Sequence, residues 1–209
     1  MQKKQSKTEA GYHHVHLKKK LISKAVDIIS SQGRRGLTLR AVGQAANVSR
    51  SAPYRHFKNK EALLAAVAGQ GFEELTRRLL AVSAREKDPL ERLILQGQTY
   101  VSFAKENPAY FEVMYGFNLA SYFLYPDLLD SAVSAAAYLF ESIEACQEAN
   151  ILIKTDVIEM SFGAWMHMHG LAVLLINGLA PFDIQTEDDL GEIVRRYAMT
   201  YFEGTRQRG

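Results

Sequence analysis

Apolar residues recur at steps of three and four along most of the chain, and no stretch alternates with period two, which leaves an all-helical fold as the architecture the sequence can build. Leu21, Ile22, Ala25, Ile28 and Ile29 open the pattern, and Gly33 supplies a stop for this first helix, which starts at Lys18. Thr38 then precedes Leu39, Val42, Ala45 and Ala46, a two-turn segment whose first N–H groups its hydroxyl can cap. Asn47 follows, the residue that after glycine best tolerates the left-handed backbone of a sharp turn. Ser49 offers another cap, and Ser49 to His56 reads as a third short helix with Pro53 near its first turn. Two short helices around a tight turn make a helix-turn-helix.

Asn59 caps the next helix, with Glu61 in its first turn and a stripe of Leu63, Leu64, Val67, Leu75, Leu79 and Leu80 running toward Arg85. Gly69 and Gly71 interrupt it at a cost of about 1 kcal/mol each, so a bend or close packing is expected there. Asp88-Pro89-Leu90-Glu91 announces a helix to Lys105, and Asn107-Pro108 repeats the device. After the turn at Tyr125-Pro126-Asp127 come a long helix from Leu128 to Asn150, one from Thr155 or Asp156 to Gly178, and a last one opened by Thr186. The expectation is about nine helices.

Charge divides the chain in two. Residues 1–60 hold 14 Lys or Arg against 2 Asp or Glu, whereas residues 61–209 hold 11 against 21. That split fits a basic module that meets a polyanion, joined to an acidic body that does not. The division reads as a flexible basic arm over 1–17, a basic helix-turn-helix module over 18–64, and an acidic helical body over 65–209. The longest apolar stretch, Leu171 to Ile176, is far too short to span a bilayer. A lone cysteine, Cys146, and a start of Met1-Gln2-Lys3-Lys4 without a signal-like apolar run point to a cytoplasmic home. His13, His14 and His16 lie in the arm, where nothing presets a metal geometry, so neither a metal nor another cofactor is expected.

The run from Leu37 to Leu64, LTLRAVGQAANVSRSAPYRHFKNKEALL, resembles the DNA-binding segment of TetR-family repressors, with Tyr54, His56, Phe57, Lys60, Glu61 and Leu63 in register. Asn47 stands where that family commonly has Gly, and Pro53 where it commonly has Leu or Ile. Physical reasoning assigns the same segment a similar task, because recognition helices set N-terminal side chains against base edges while flanking groups hold phosphates. Arg50 and Ser51 are the polar candidates for base contact, and Ala52 is placed to meet a thymine methyl. Tyr54, His56, Lys58 and Lys60 are phosphate candidates, with Thr38 and Arg40 approaching from the second helix. Arg40 and Arg55 serve equally well as solvated surface, and the arm either tracks the minor groove or stays loose. Lys60 is the sharpest clue: a cation in a first turn opposes the helix dipole unless an anion also sits there.

Nine of the 21 aromatic residues fall between Tyr100 and Tyr125, a density that suits a pocket for a small apolar or aromatic effector as well as a core. Phe103, Phe111, Met114, Tyr115, Phe117, Tyr122, Phe123, Trp165, Met166 and His169 are the candidate lining residues. At 100° per residue Trp165, His169, Ala172 and Ile176 share one side, while Gly163, Gly170 and Asn177 recur on the other, where a second helix can approach. His169 is either a pocket group or a satisfied core histidine. The TetR resemblance implies that a ligand bound in the C-terminal domain releases DNA, and Trp165, His169 and Gly170 resemble the Trp…His-Gly (WHG) signature of one subgroup. It also implies a homodimer formed through residues 156–178 and 187–204. An enzyme using His169 as base is the rival, and it lacks any nucleophile elbow, phosphate loop or acidic metal cluster. The sequence thus reads as a ligand-responsive repressor on a pseudopalindromic operator, with no catalytic residue and no membrane partner.

Overall fold

A computed structural model describes residues 5–181, 184 and 186–204, the side chains of residues 5–15 and of Leu119 excepted. Among the described residues there are nine α-helices, one 3-10 turn and no strand. The helices are α1 (Gln5–Gly36), α2 (Leu39–Ala45), α3 (Lys60–Arg85), α4 (Pro89–Glu106), α5 (Pro108–Met114), α6 (Leu119–Leu124), α7 (Pro126–Glu148), α8 (Val157–Ile176) and α9 (Glu187–Glu203), with the 3-10 turn at Pro53–Arg55. No helix among these is long and apolar enough to cross a membrane.

Two compact units form, one from Met1–Gln70 with Ala109–Leu128, the other from Gly71–Pro108 with Leu129–Gly209. Residues 109–128 fold with the N-terminal segment. The reason is local: Arg34 donates to the Gly116 carbonyl at 3.3 Å and lies over the Phe117 ring at 5.9 Å. Phe117 in turn meets Tyr122 and Tyr125 edge-on. In this first unit the stripe Leu21, Ile22, Ala25, Ile28 and Ile29 is buried, as are Leu37, Val42, Phe57, Leu63 and Val67. Gly33 takes φ +67, interrupting α1 near its end as the sequence implies. The helix begins at Gln5, however, so the described part of the expected arm is helical from there to Leu17. Residues 1–4 and the side chains of His13 and His14 lie outside the described residues.

In the second unit α4 packs on α8 and α9, and α8 on α9. Leu93, Ile94, Ile143, Cys146, Leu152, Met160, Ala164, Ala198 and Phe202 form its core. Gly163 permits the α8–α9 approach, since a Cβ there would stand 2.2 Å from the Tyr201 hydroxyl. Gly170, expected to serve a similar approach, has nothing within 4 Å of that position. Caps anticipated from sequence are in place: Thr38, Asn59, Asp88, Asp156 and Thr186 all accept first-turn N–H groups, Thr186 in a reciprocal capping box with Asp189.

Burial pushes the Cys146 thiol up to about 11, outweighing the opposing field of Arg92. At pH 8 it is almost entirely protonated and shielded, so Ellman's reagent should leave the native protein unmodified and titrate one thiol in denaturant. Rapid native labelling would mean that α7 opens readily.

Candidate nucleic-acid interface and effector site

The helix-turn-helix is built in the first unit by three local devices. Thr38 caps α2 by accepting from Ala41 N at 3.0 Å, and Ala46 and Asn47 close its C-terminal end. Asn47 takes φ +52, the left-handed conformation its side chain tolerates. The third expected helix, Ser49 to His56, is absent in α form. Pro53 has no N–H to give to a carbonyl four residues back, so the chain closes mainly as i to i+3 turns, Ala52 N to Ser49 O, Arg55 N to Ala52 O and His56 N to Pro53 O, with one i to i+4 bond from Phe57 N to Pro53 O. Ser49 does not cap a helix; its hydroxyl pairs with that of Ser51 at 3.3 Å. The Pro53 ring packs on α2 where Gly43 leaves room, a Cβ there standing 2.9 Å from Pro53 Cγ.

Among the DNA-contact candidates, Thr38, Arg40, Arg50, Ser51, Tyr54, Arg55 and Lys58 are exposed and His56 is half-buried. Tyr54, at 58% exposure, turns outward although it belongs to a short apolar-rich turn. Two candidates are placed differently. Ala52 is buried at 8% beside Pro53. Lys60 is half-buried, and its Nζ donates to the Arg34 carbonyl at 2.6 Å. The conflict between this cation and the positive end of α3 is thus met inside the protein, by a carbonyl at the negative end of α1.

Replacing Lys60 by Met should therefore lower stability by about 1–3 kcal/mol, the worth of a hydrogen bond to a charged group. For a chain of this size that is a drop in Tm of several degrees by calorimetry. A lysine serving only a phosphate would leave Tm unchanged and cut the salt slope of DNA binding by about two for the dimer.

The ten effector-site candidates divide between the units. Phe111, Met114, Tyr115, Phe117, Tyr122 and Phe123 lie in the first, and Phe103, Trp165, Met166 and His169 in the second. Phe103, Phe111 and Met114 are deep core, while Phe123 at 65% and Met166 at 52% face solvent. In the first unit Tyr115 stacks on Phe111 at 4.8 Å and the Tyr122 hydroxyl donates to the Met114 carbonyl. In the second, the Tyr100 hydroxyl is 2.8 Å from His169 Nδ1 and accepts from Trp165 Nε1 at 3.3 Å. Burial lowers the His169 pKa, favouring the neutral ring. Tyr100 was not among the candidates singled out, although it lies in the aromatic-rich run; nothing in a single sequence reveals which tyrosine meets a histidine 69 positions on.

A capped helix followed by a left-handed turn and exposed cations, with no strand among the described residues, has the form of a helix-turn-helix transcriptional regulator. Family profiles agree: residues 21–67 match bacterial regulatory proteins, tetR family, and residues 93–201 match the tetracyclin repressor-like C-terminal domain. The chain belongs to the tetR family. Nucleoid occlusion factor SlmA of Vibrio vulnificus is 33% identical over 87 residues, 42% of this chain and 44% of that protein, so the chain spans less than half the length of this curated relative. A solved protein of unknown function from Rhodococcus sp. RHA1 has TM-score 0.78 at 25% identity, covering 91% of this chain and 96% of that one. The fatty acid degradation regulator FadR from Bacillus halodurans has TM-score 0.73 at 15% identity, covering 91% and 97%, a likeness of fold alone.

Proposed function

We propose that the protein is a cytoplasmic repressor that binds a pseudopalindromic operator as a homodimer and lets go when a small apolar or aromatic effector enters its C-terminal domain. The observation that carries the reading is the exposed Arg50-Ser51 turn, followed by exposed Tyr54 and Lys58, in a segment where basic residues outnumber acidic ones 14 to 2. Such a surface has work to do only on a polyanion. Dimerisation is supported by Ile158, Phe162, Met166 and Val173, which stay exposed along one stripe of α8, together with Tyr197 on α9. One short reading element also contacts too few base pairs for useful specificity. Trp165, His169 and Gly170 support placement in the WHG-type subgroup.

The test is binding to duplexes tiled across the upstream DNA at several salt concentrations, beside a Tyr54→Ala variant. Tight, salt-sensitive binding to one tile with two subunits per site is the expected result. Equal weak binding to every tile, and to genomic fragments, would overturn the reading.

Signal transfer is assigned to α3, which runs as one helix through buried Gly69 and Gly71; the division between the two units falls at Gln70 and Gly71. Replacing both glycines by Ala stiffens that segment. Induction should then fall by several-fold while operator affinity in the absence of effector stays within about threefold, couplings of this kind being about 1–3 kcal/mol. Normal induction in the double variant would reject the hinge.

A further inference from the structure

Carbonyls at and just beyond the C-terminal end of a helix have no partner inside it, and in the first unit two of them are met by cations from elsewhere in the chain. Lys60, the first residue of α3, donates to the Arg34 carbonyl near the end of α1 at 2.6 Å. Arg34 donates in turn to the Gly116 carbonyl, just past the end of α5, at 3.3 Å. Its guanidinium also lies over the Phe117 ring at 5.9 Å, within cation–π range. Gly116 is fitted to this contact, since a Cβ there would stand 2.1 Å from Arg34 Nη1. Around it the Tyr122 hydroxyl donates to the Met114 carbonyl, and Tyr122 and Tyr125 stand edge-on to Phe117.

Arg34 and Lys60, 26 positions apart, form the neck of a loop that carries α2, the left-handed turn at Asn47 and the 3-10 turn. Every exposed DNA-contact candidate, from Thr38 to Lys58, lies within that loop. One residue at the neck thus serves two neighbours. Its carbonyl holds the start of α3, and its side chain is held by residues 116 and 117. A short hydrogen bond tolerates little displacement, so a shift of the Arg34 side chain is felt at Lys60.

We propose that Arg34 is a positioning residue for DNA binding, through which Gly116 and Phe117 set the helix-turn-helix. This rests on the DNA-binding reading above and needs neither the α3 hinge nor any particular effector. An Arg34 with a purely structural role would fasten residues 109–128 to α1 and leave the reading segment indifferent to Phe117.

Hydrogen exchange of the full-length protein, read by mass spectrometry, compares the wild type with Arg34→Met, Phe117→Ala and the double variant. The same four proteins are titrated with the upstream duplex that the wild type binds most tightly. Phe117→Ala should speed exchange over residues 38–58 by about three- to tenfold, the worth of one hydrogen bond, while α4 and α8 in the other unit keep their wild-type rates. Operator affinity should fall by about 10- to 100-fold, because both subunits of a dimer lose the contact. The double variant should be no worse than Arg34→Met alone, since Phe117 acts through Arg34. Gly116→Ala, which expels the guanidinium and leaves Phe117 in place, should reproduce the effect and decides the matter should Phe117→Ala fail to fold. Faster exchange confined to residues 109–128, an equal rise over α4 and α8, additive losses in the double variant, or unchanged operator affinity overturns the proposal. Those outcomes leave the repressor reading standing wherever the wild type still binds one duplex tightly. Wild-type binding to no duplex would sink that reading instead, and the exchange rates would still decide whether Arg34 couples Phe117 to residues 38–58.

Discussion

Replacing Arg50 by Ala is expected to weaken operator binding by about 30-fold to more than 10,000-fold, one contact being lost in each half-site of the dimer, and to relax specificity at one base pair of each half-site, with Tm unchanged. The magnitude is that of a bidentate guanidinium on guanine O6 and N7, about 1–3 kcal/mol per contact. Arg50 is exposed in the turn that precedes Pro53, so its loss leaves no cavity and no stranded partner in the free protein. Arg40, exposed on α2, provides the contrast. As a phosphate ligand its removal from both subunits should weaken all sequences alike and lower the salt slope by about two. Competition binding against a library of half-site variants separates the two. If Arg50→Ala lowers affinity uniformly, the side chain holds backbone, and base reading passes to Ser51 or to water.

Why these assignments were accessible, and others not, follows from the range over which each is decided. Capping is settled within three residues, so Thr38, Asn59, Asp88 and Thr186 announced their helices, and Asn47 announced its left-handed turn. Pro53 also acts locally, and its missing N–H was known; what the sequence did not disclose is that no capping serine would rescue an α-helix there. Ala52 is buried although its backbone is right-handed helical, and no local feature of the sequence marks it as interior. The start of α1 was missed because residues before Lys18 carry no apolar stripe, and a helix without one leaves no periodicity to read. Lys60 and Arg34, 26 positions apart, and Arg34 and Gly116, 82 apart, meet only in the folded chain. The same holds for Tyr100 and His169, and for Met166, which shares a helix with Trp165 yet stands on its solvent side.

Replacing Phe162 by Asp should convert the protein to a monomer and lower operator affinity by more than a hundredfold. Phe162 is 55% exposed at the middle of the stripe formed by Ile158, Phe162 and Met166, spaced four residues apart along α8. In the free chain a carboxylate there stays in water, so folding should be untouched. In a two-fold interface the same residue enters twice, and an unpaired charge in a buried contact costs about 2–5 kcal/mol, roughly 30- to 5,000-fold in association. Each monomer would then hold a single half-site. Val133 on α7 is the control: it is apolar and 58% exposed, but lies outside the stripe, so Val133→Asp should leave mass and affinity unaltered. Light scattering after gel filtration reads the assembly, and gel shift on the operator reads the consequence. A Phe162→Asp protein that remains dimeric and binds normally would place the interface elsewhere, and the exposed stripe on α8 would then need another occupant.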